Sequence, residues 1–329
     1  MIKFNNVYVK NTALVAGKME SNSKYGDFFD KKYKSFYIDK KSLEKSEVLM
    51  QKDSIDILLD KENLEKENID FFVGGDLLNQ ICATSYAMNQ YKVPFLGVFS
   101  ACATSMESII IASSFIESKS VNKVICTTSS HNLNSEKQFR NPIEYGSFKR
   151  KTSTFTATGA ASILLTNEKT DVKVTSGTIG KIISLKQNDP NNMGAAMAPA
   201  AANTIYRHLK YNNETIDDYD LIITGDLGLY GSKILREYIK KEYNIELGEK
   251  YNDCGAMLYD KEKYKEVESG GSGPVCSALI NYGYIYDLLK HKRLKKVMFV
   301  TTGALFSPTF LYQKEDILGI AHAVTMEGV

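Results

Sequence analysis

The strongest constraint on the fold is a pattern that occurs twice in the chain. The tripeptide Gly-Asp-Leu follows a short apolar strand at residues 75–77 and again at residues 225–227. Around each copy the order strand, helix, strand, buried helix, strand repeats, and this alternation is typical of α/β proteins. We therefore predict a duplicated chain with halves 1–170 and 171–329. The alternative is a single doubly wound sheet in which the similarity arises by chance.

Two apolar segments, Ala103–Ser118 and Gly273–Leu289, are the predicted buried helices of the two halves. Both carry small and apolar residues almost all round, which a helix facing solvent does not tolerate. We expect them to lie side by side between two sheets.

Charge and cysteine usage exclude several classes of protein. The 329 residues contain 41 Lys and Arg against 39 Asp and Glu, so the net charge of +2 gives no electrostatic case for nucleic acid. The longest mostly apolar stretch is far shorter than the ~18–20 residues that span a bilayer, and the N-terminus lacks the apolar core of a signal peptide. Five widely spaced cysteines without a CxxC motif favour a reducing compartment over disulfides or zinc.

Cys102 is the residue most suited to chemistry. It follows a predicted strand and precedes the helix that begins near Ala103, and its small neighbours Ser100 and Ala101 permit a sharp turn. A thiol at a helix start faces unpaired N–H groups, which favour the thiolate and predict a lowered pKa. The alternative is a free cysteine that serves as a small buried apolar side chain.

A strand, Ser-Ala-Cys-Ala and a buried helix within a duplicated α/β chain resemble the thiolase superfamily, especially the ketoacyl synthase III enzymes. Longer motifs resemble one branch more closely, the stage V sporulation protein AD (SpoVAD) family of endospore-forming bacteria. The resemblance implies two βαβαβαββ halves that form a five-layer α-β-α-β-α sandwich. The motifs are GGDLLNQ at 74–80, SACATSMES at 100–108, SSHNLNSEKQFRNPIEYG at 129–146, DCGAMLYD at 253–260, TGALFSPT at 302–309 and GIAHAV at 319–324.

The catalytic partners of the cysteine in the condensing enzymes have no match in this sequence. Where a His is expected after the first strand of the C-terminal half, the chain has Gly225 and Asp226. Where an Asn is expected, it has Gly271 and Ser272. Condensation needs a base and hydrogen-bond donors beside the nucleophile. We therefore expect no enzyme activity, and Cys102 to be a vestigial nucleophile.

The resemblance implies a ligand, dipicolinic acid, and places its pocket at the former acyl site. The helix N-terminus at Ala103 and the predicted turn at Gly303 and Ala304 would supply N–H groups. Oxygens of Asp76, Asn79 and Asp226 would face calcium that arrives with the ligand, with no metal held by the protein alone and no cofactor; the alternative for both aspartates is a turn or helix cap. The full set of ligand-binding candidates is Asp76, Asn79, Cys102, Ala103, His131, Arg140, Gly225, Asp226, Gly271, Ser272, Gly303 and Ala304.

Several of these candidates have a simple structural alternative. Arg140 is suited to pair with a carboxylate in bidentate fashion, or with Glu144 of the same segment. His131 either borders the pocket or caps the local structure, and His322 is expected near the end of the last strand. Gly225 and Gly271 are equally explained as turn glycines.

The function implied by the resemblance is a non-catalytic binding protein for dipicolinic acid, as its calcium chelate, that takes part in uptake into the forespore. Its partners would be other stage V sporulation A membrane proteins, and a homodimer is a further candidate assembly. Its place would be peripheral, on the cytoplasmic side of the forespore or spore inner membrane. The alternatives are an acyltransferase similar to ketoacyl synthase III that uses Cys102, and a scaffold with a vestigial pocket.

Overall fold

A computed structural model describes residues 1–38, 42–139, 149–260 and 262–329. Its strands are β1 Ile2–Ala16, β2 Lys31–Lys32, β3 Phe71–Gly75, β4 Phe95–Gly97, β5 Lys123–Ser130, β6 Phe155–Thr156, β7 Gly159–Thr166, β8 Val172–Thr178, β9 Leu221–Thr224, β10 Tyr251–Asp253, β11 Gly271–Ser272, β12 Lys296–Leu305 and β13 Leu318–Gly328. Its α-helices are α1 Leu43–Glu62, α2 Cys82–Met88, α3 Thr104–Glu117, α4 Asn132–Phe139, α5 Met193–Asn212, α6 Gly228–Tyr243, α7 Cys254–Leu258, α8 Pro274–Leu279, α9 Tyr286–Lys290 and α10 Pro308–Tyr312.

The same strand order occurs twice within the described residues. In the first half, β4, β3, β5, β7 and β1 are neighbours in that order. In the second half, β10, β9, β12, β13 and β8 follow the same order. If each set is numbered along the chain, both sheets read 3-2-4-5-1. The strand directions also agree. In both sheets strand 2 pairs in parallel with strands 3 and 4, and strand 4 pairs antiparallel with strand 5. Chance similarity within one doubly wound sheet does not produce this correspondence.

The two sheets are joined at one edge, where β1 pairs antiparallel with β8 at Ile2, Lys3, Val7 and Tyr8. Helices cover both outer faces: α1 packs on β1 and β7 of the first sheet, and α5 packs on β12 and β13 of the second. Between the sheets, α3 contacts β1, β3 and β5 on one side and β12 and β13 on the other. The layers are therefore α-β-α-β-α, as the sequence predicts.

Apolar burial explains why the central helices lie between the sheets. Met106, Ile109 and Ala112 of α3 are completely buried, and every residue of α8 is buried. The second helix continues from α8 through a π-helical segment, Ile280–Ile285, into α9. Residues with small side chains, such as Gly283 against Leu14 and Phe28, allow this close packing.

We find no helix in the described part of the chain with the length and apolarity that crossing a bilayer requires.

Candidate functional site

Cys102 lies on a tight turn that aims it into the space between the halves. A 3-10 turn, Ala101–Ala103, connects the strand region to α3. Ala101 has φ of 50°, in the left-handed region that residues with a Cβ seldom adopt. Thr104 fixes this geometry, since its Oγ1 accepts from the Ser100 N–H at 3.1 Å and donates to the Ala101 carbonyl at 2.8 Å. The sharp turn that the sequence predicts before the helix is therefore present.

The thiol of Cys102 lies next to the carboxylate of Asp226, across the boundary between the halves. Asp226 is completely buried. Its Oδ1 accepts from Thr302 Oγ1 at 2.5 Å, and its Oδ2 lies 3.4 Å from the Gly273 N–H. The same Gly273 N–H also donates to Cys102. A carboxylate therefore stands beside the cysteine, where the condensing enzymes resembled by the sequence have an imidazole.

This arrangement contradicts the expectation of a stabilised thiolate. Burial raises the pKa of Cys102 well above its usual value, and the adjacent Asp226 raises the pKa further. The N–H of Gly273 opposes this effect but is the weaker influence. Part of Cys102 reaches the cavity surface, yet the sulfur is enclosed. Desolvation and a like charge therefore outweigh the helix N-terminus, and the cysteine is held as a neutral thiol.

A cavity of about 270 Å³ opens above Cys102. Its walls are mainly apolar and aromatic, and Cys102 and Asp226 lie at its base. Phe139 and Phe306 meet edge to face at 6.0 Å between ring centres on its rim. The lining residues are Leu77, Phe99, Ala101, Cys102, Ser135, Glu136, Phe139, Lys149, Thr154, Thr156, Pro190, Asn191, Met193, Met197, Asp226, Ala304, Phe306, Pro308, Leu311 and Tyr312.

The polar side chains of the cavity lining include a lysine, a glutamate and a serine near its apolar walls. Lys149 Nζ lies 3.7 Å from the carboxylate of Glu136, and both residues line the cavity. Ser135 is 4% exposed, and its hydroxyl has no hydrogen-bond partner among the described residues. Lys149 and Ser135 therefore bring an ammonium group and a hydroxyl without a described partner to the lining of the cavity.

Three of the predicted site residues line the cavity: Cys102, Asp226 and Ala304. Ala103 is completely buried behind Cys102. The prediction of a turn at Gly303 and Ala304 is wrong, because both lie within β12 and pair with Ile320 and Gly319 of β13. Gly303 instead provides close packing, since a Cβ there would lie 2.2 Å from the Ser100 carbonyl oxygen.

The glycine-rich segment also differs from the predicted open turn. Gly271 and Ser272 form β11, which pairs in parallel with Phe155 and Thr156 of β6. Ser272 is 8% exposed and is absent from the cavity lining, whereas its strand partner Thr156 lines it. Gly225 directly follows β9 and packs closely on Thr301 and Thr302. Gly225, Gly271 and Ser272 therefore lie outside the cavity lining.

Asp76 is a buried cap, the simpler of its two predicted roles. Its carboxylate accepts from the Leu78 N–H at 2.8 Å and from the Thr84 N–H and hydroxyl, both at 2.7 Å. Asn79 lies apart, in an adjoining open groove of about 560 Å³ that shares Phe99, Phe139 and Phe306 with the cavity. Neither residue lines the cavity itself.

None of the chain's four histidines, all within the described ranges, lines the cavity. His131 is buried, with Nε2 3.0 Å from the Phe36 carbonyl oxygen. His322 Nδ1 accepts from the Gly180 N–H, and its Nε2 lies 3.2 Å from Ser100 Oγ. His208 is held between Thr178 and Thr325, and His291 is exposed at the end of α9. The predicted pocket contact of His131 is therefore not made.

Arg140 and Glu144 lie outside the described residues, so their predicted pairing with ligand or with each other stays a prediction. Among the described residues we find no group of three His, Cys, Asp or Glu side chains placed to hold a metal ion.

Sequence reasoning missed Gly273, Thr302 and the aromatic walls. Gly273 follows the predicted Gly-Gly-Ser motif, and only its φ of 95° distinguishes it as the donor to both Cys102 and Asp226. The phenylalanines come from separate segments that meet only in the folded chain. The motif TGALFSPT contains Thr302, Ala304 and Phe306, but of these three only Ala304 was predicted as a site residue.

Solved structures show the class of protein that this fold and cysteine turn define. The chain aligns with 3-oxoacyl-[acyl-carrier-protein] synthase III from Aquifex aeolicus with a TM-score of 0.57 and 11% identity, over 98% of this chain and 99% of that chain. It aligns with cerulenin-bound OleA from Xanthomonas campestris with a TM-score of 0.63 and 12% identity, over 98% and 97%. These likenesses establish a thiolase-like fold.

Sequence comparison is more specific. The family model for stage V sporulation protein AD matches residues 1–327. The stage V sporulation protein AD of Bacillus subtilis strain 168 is 42% identical over 321 residues, which cover 98% of this chain and 94% of that protein. The chain therefore belongs to the stage V sporulation protein AD family, a family of sporulation proteins with a thiolase-like fold.

Proposed function

We propose that the chain binds dipicolinic acid, as its calcium chelate, in the cavity above Cys102 and takes part in dipicolinate uptake into the forespore. The observation that carries the proposal is the cavity itself: a mainly apolar and aromatic site beside Cys102, with a lysine ammonium group, a serine hydroxyl that has no partner among the described residues, and no histidine in its lining. Such a site favours binding over condensation.

The aromatic walls suit a flat ring. Phe99, Phe139, Phe306 and Tyr312 approach the cavity from different elements. Pockets for small ligands are lined mainly by apolar and aromatic side chains, with a few polar groups that fix orientation. An aromatic ring gains from burial against other rings in offset or edge-to-face contact. A pyridine ring is therefore an appropriate occupant by size and shape.

The ligand's carboxylates need compensation, because burying an uncompensated charge costs several kcal/mol. Lys149 can exchange part of its contact with Glu136 for a ligand carboxylate, and the Ser135 hydroxyl can donate to the same group. Calcium carried in the chelate would neutralise the remaining charge without a metal site in the protein. The proposal therefore requires few new charges from the chain.

The partners that this proposal implies are the other stage V sporulation A membrane proteins, to which the ligand would be passed. The chain would act peripherally, on the cytoplasmic side of the forespore or spore inner membrane. Family membership supports this assignment, which co-purification with the membrane partners would test.

The proposal also makes the chain a non-catalytic relative of condensing enzymes. A base that deprotonates a nucleophile must lie within hydrogen-bond reach of it, and here the neighbour of the thiol is Asp226, whose charge disfavours the thiolate. Incubation with acyl-CoA and malonyl-acyl carrier protein should give no condensation above background. Turnover that is abolished by Cys102→Ala would favour the acyltransferase alternative.

Calorimetric titration with calcium dipicolinate tests the binding proposal. We expect saturable binding by the parent protein and at least about tenfold weaker binding by Lys149→Gln, because an ion pair with a buried charge contributes about 1.4 kcal/mol or more. Lys151→Gln is the matched control, since Lys151 is exposed on the same segment and should leave affinity unchanged. No heat with the folded parent would favour a scaffold with a vestigial pocket.

A further inference from the structure

We propose that Asp226 is a specificity-determining residue that meets calcium-free, anionic dipicolinate as a neutral carboxylic acid, so that binding at alkaline pH takes up one proton. This inference rests on the proposed function, because it assumes that a carboxylate enters the cavity. Asp226 would then be protonated and would donate a hydrogen bond, rather than contact calcium as an anion. This hydrogen bond would make the site select ligands that carry a carboxylate.

The position of Asp226 carries the inference. It forms part of the cavity base beside Cys102 and is completely shielded from solvent. Lys149 and Asp226 line the same cavity of about 270 Å³, and we place one carboxylate of the ligand at each of them. Two carboxylates in close contact cannot both stay ionised in a site without water, and one of them must accept a proton.

The surroundings of Asp226 contain no compensating cation among the described residues that contact it. Thr302 from β12 and the Gly273 N–H before α8 donate hydrogen bonds, and the Cys102 thiol faces it from the 3-10 turn. Every other titratable neighbour is an acid that repels a charge on Asp226. These neighbours are Asp253 of β10, Cys254 of α7 and Cys276 of α8.

The free protein is already poised for proton uptake. Burial raises the pKa of Asp226 to about 7, against the opposing effect of its hydrogen bonds. An anionic ligand would raise the pKa further. Below about pH 7 Asp226 is already protonated, so ligand binding takes up few protons and the affinity does not change with pH. Above that pH the uptake approaches one proton, and affinity falls by up to about tenfold per pH unit.

The Ser135 hydroxyl provides an independent sign that the cavity is built for a polar ligand. It is 4% exposed, lines the same cavity and has no partner among the described residues. Buried hydroxyls are normally hydrogen-bonded. A ligand carboxylate that accepts from both Ser135 and protonated Asp226 would satisfy the hydroxyl and remove the charge repulsion.

Isothermal titration with dipicolinate in two buffers of different ionisation enthalpy measures the proton uptake directly. At about pH 8 we expect uptake near one proton per ligand for the parent, falling toward zero at about pH 6. Asp226→Asn should reduce the uptake at about pH 8 to near zero and make affinity almost independent of pH. Glu136→Gln, which changes the other cavity carboxyl, should take up as many protons at about pH 8 as the parent, although its affinity will differ because Lys149 loses its contact with Glu136.

The outcomes separate the two proposals. Binding without proton uptake by the parent at about pH 8 overturns the role of Asp226 but leaves the ligand assignment in place. Uptake that survives in Asp226→Asn and disappears in Glu136→Gln also overturns it. Calcium-dependent binding that Asp226→Asn abolishes would show an anionic metal contact instead. Absence of binding by the folded parent to both dipicolinate and its calcium chelate removes both proposals. If Asp226→Asn does not fold, proton uptake by Glu136→Gln at about pH 8 decides between the two cavity carboxyls.

Discussion

At the scale of single residues, the contact between Cys102 and Asp226 decides the chemistry of the site. The carboxylate raises the pKa of the thiol that lies beside it. A histidine at the same place would instead accept the thiol proton and form an ion pair. The exchange of one side chain therefore disfavours the thiolate form of Cys102.

We expect Cys102 to be alkylated slowly by iodoacetamide at neutral pH. Asp226→Asn should accelerate this reaction about 10-fold to 100-fold, because removing an adjacent like charge lowers a pKa by about 1–2 units. The pH dependence of alkylation, followed by mass spectrometry of the Cys102 peptide, measures the effect. Cys82, which is partly exposed and remote from Asp226 on α2, is the internal control. An equal rate in both proteins would show that burial alone suppresses the thiolate.

Both Cys102 and Asp226 were predicted as site residues from the sequence, but the contact between them was not predicted. Asp226 was predicted as a ligand contact or a cap; it lies against the sulfur and also lines the cavity, so its contact with a ligand stays a prediction. Asp76, its counterpart in the repeated tripeptide, is the cap. The aspartates of the two identical tripeptides therefore make different contacts, because different residues surround them in the two halves.

At the scale of structural elements, the start of α8 depends on one glycine. Gly273 has φ of 95° and ψ of 156°, a conformation almost restricted to glycine. A Cβ there would lie 2.9 Å from Ser130 Oγ and 3.1 Å from Thr156 Cγ2. Its N–H reaches Asp226 only from this conformation, so the backbone and the site are coupled.

Gly273→Ala should reduce the free energy of unfolding by about 1–3 kcal/mol, because it adds backbone strain and a steric conflict. Gly248→Ala is the control: Gly248 also has positive φ, at 55°, but a Cβ added there would have no atom within 4 Å. We expect a loss near 1 kcal/mol there. Urea unfolding of both variants provides the comparison, and equal losses would argue against close packing at Gly273.

Buried His208 should make the packing of α5 on β13 sensitive to acid. Burial lowers the pKa of His208 to about 4, whereas in the unfolded chain the imidazole gains its proton near pH 6.5. As the pH falls through this window, the unfolded state binds a proton that the folded state excludes, so the folded state loses stability.

The contribution of His208 to that loss is on the order of 2–3 kcal/mol between about pH 6.5 and pH 4. His208→Gln should therefore lose less stability than the parent over this range, when urea unfolding is compared at both ends. The exposed His291→Gln variant should follow the parent. Identical pH slopes for His208→Gln and the parent would contradict the effect attributed to burial.

Element prediction succeeded where apolar residues repeat and failed where pairing is distant. Ala103–Ser118 was predicted as a buried helix, and the structure has α3 at Thr104–Glu117. Gly303 and Ala304 were predicted as a turn because a glycine follows a strand, but β13 pairs with them and extends β12 to Leu305. Pairing between segments far apart in sequence leaves no local signal at either one.

At the scale of the whole molecule, the repeated strand order explains where the site lies. Each half places the carboxyl ends of parallel strands at the same end of its sheet, and α3 begins there between the halves. Ligands bind at such strand ends in open α/β sheets. The duplication was predictable from its repeated motif, whereas the cavity walls were not, because they come from segments that meet only in the folded chain.

The outer edge of the first sheet is suited to self-association. Among the described residues, β4 pairs only with β3, and its Phe95–Gly97 segment carries no charge. Uncharged exposed edges promote pairing between chains. We expect a homodimer by light scattering after size exclusion, and Leu96→Asp should shift it to monomer.

Leu229→Asp is the matched control for this test. Leu229 is 40% exposed on α6, against 41% for Leu96 on β4, so both variants add one charge at a similarly exposed leucine. The control should remain dimeric. A monomeric parent, or equal dissociation by both variants, would contradict pairing through β4.

The most direct test of the central claim is a crystal structure of the chain with calcium dipicolinate. We expect the pyridine ring between Phe306 and the Cys102 turn, with one carboxylate near Lys149 and Ser135 and no covalent bond to the sulfur. A ligand bound at another place, or an empty cavity in crystals grown at saturating ligand, would contradict the account.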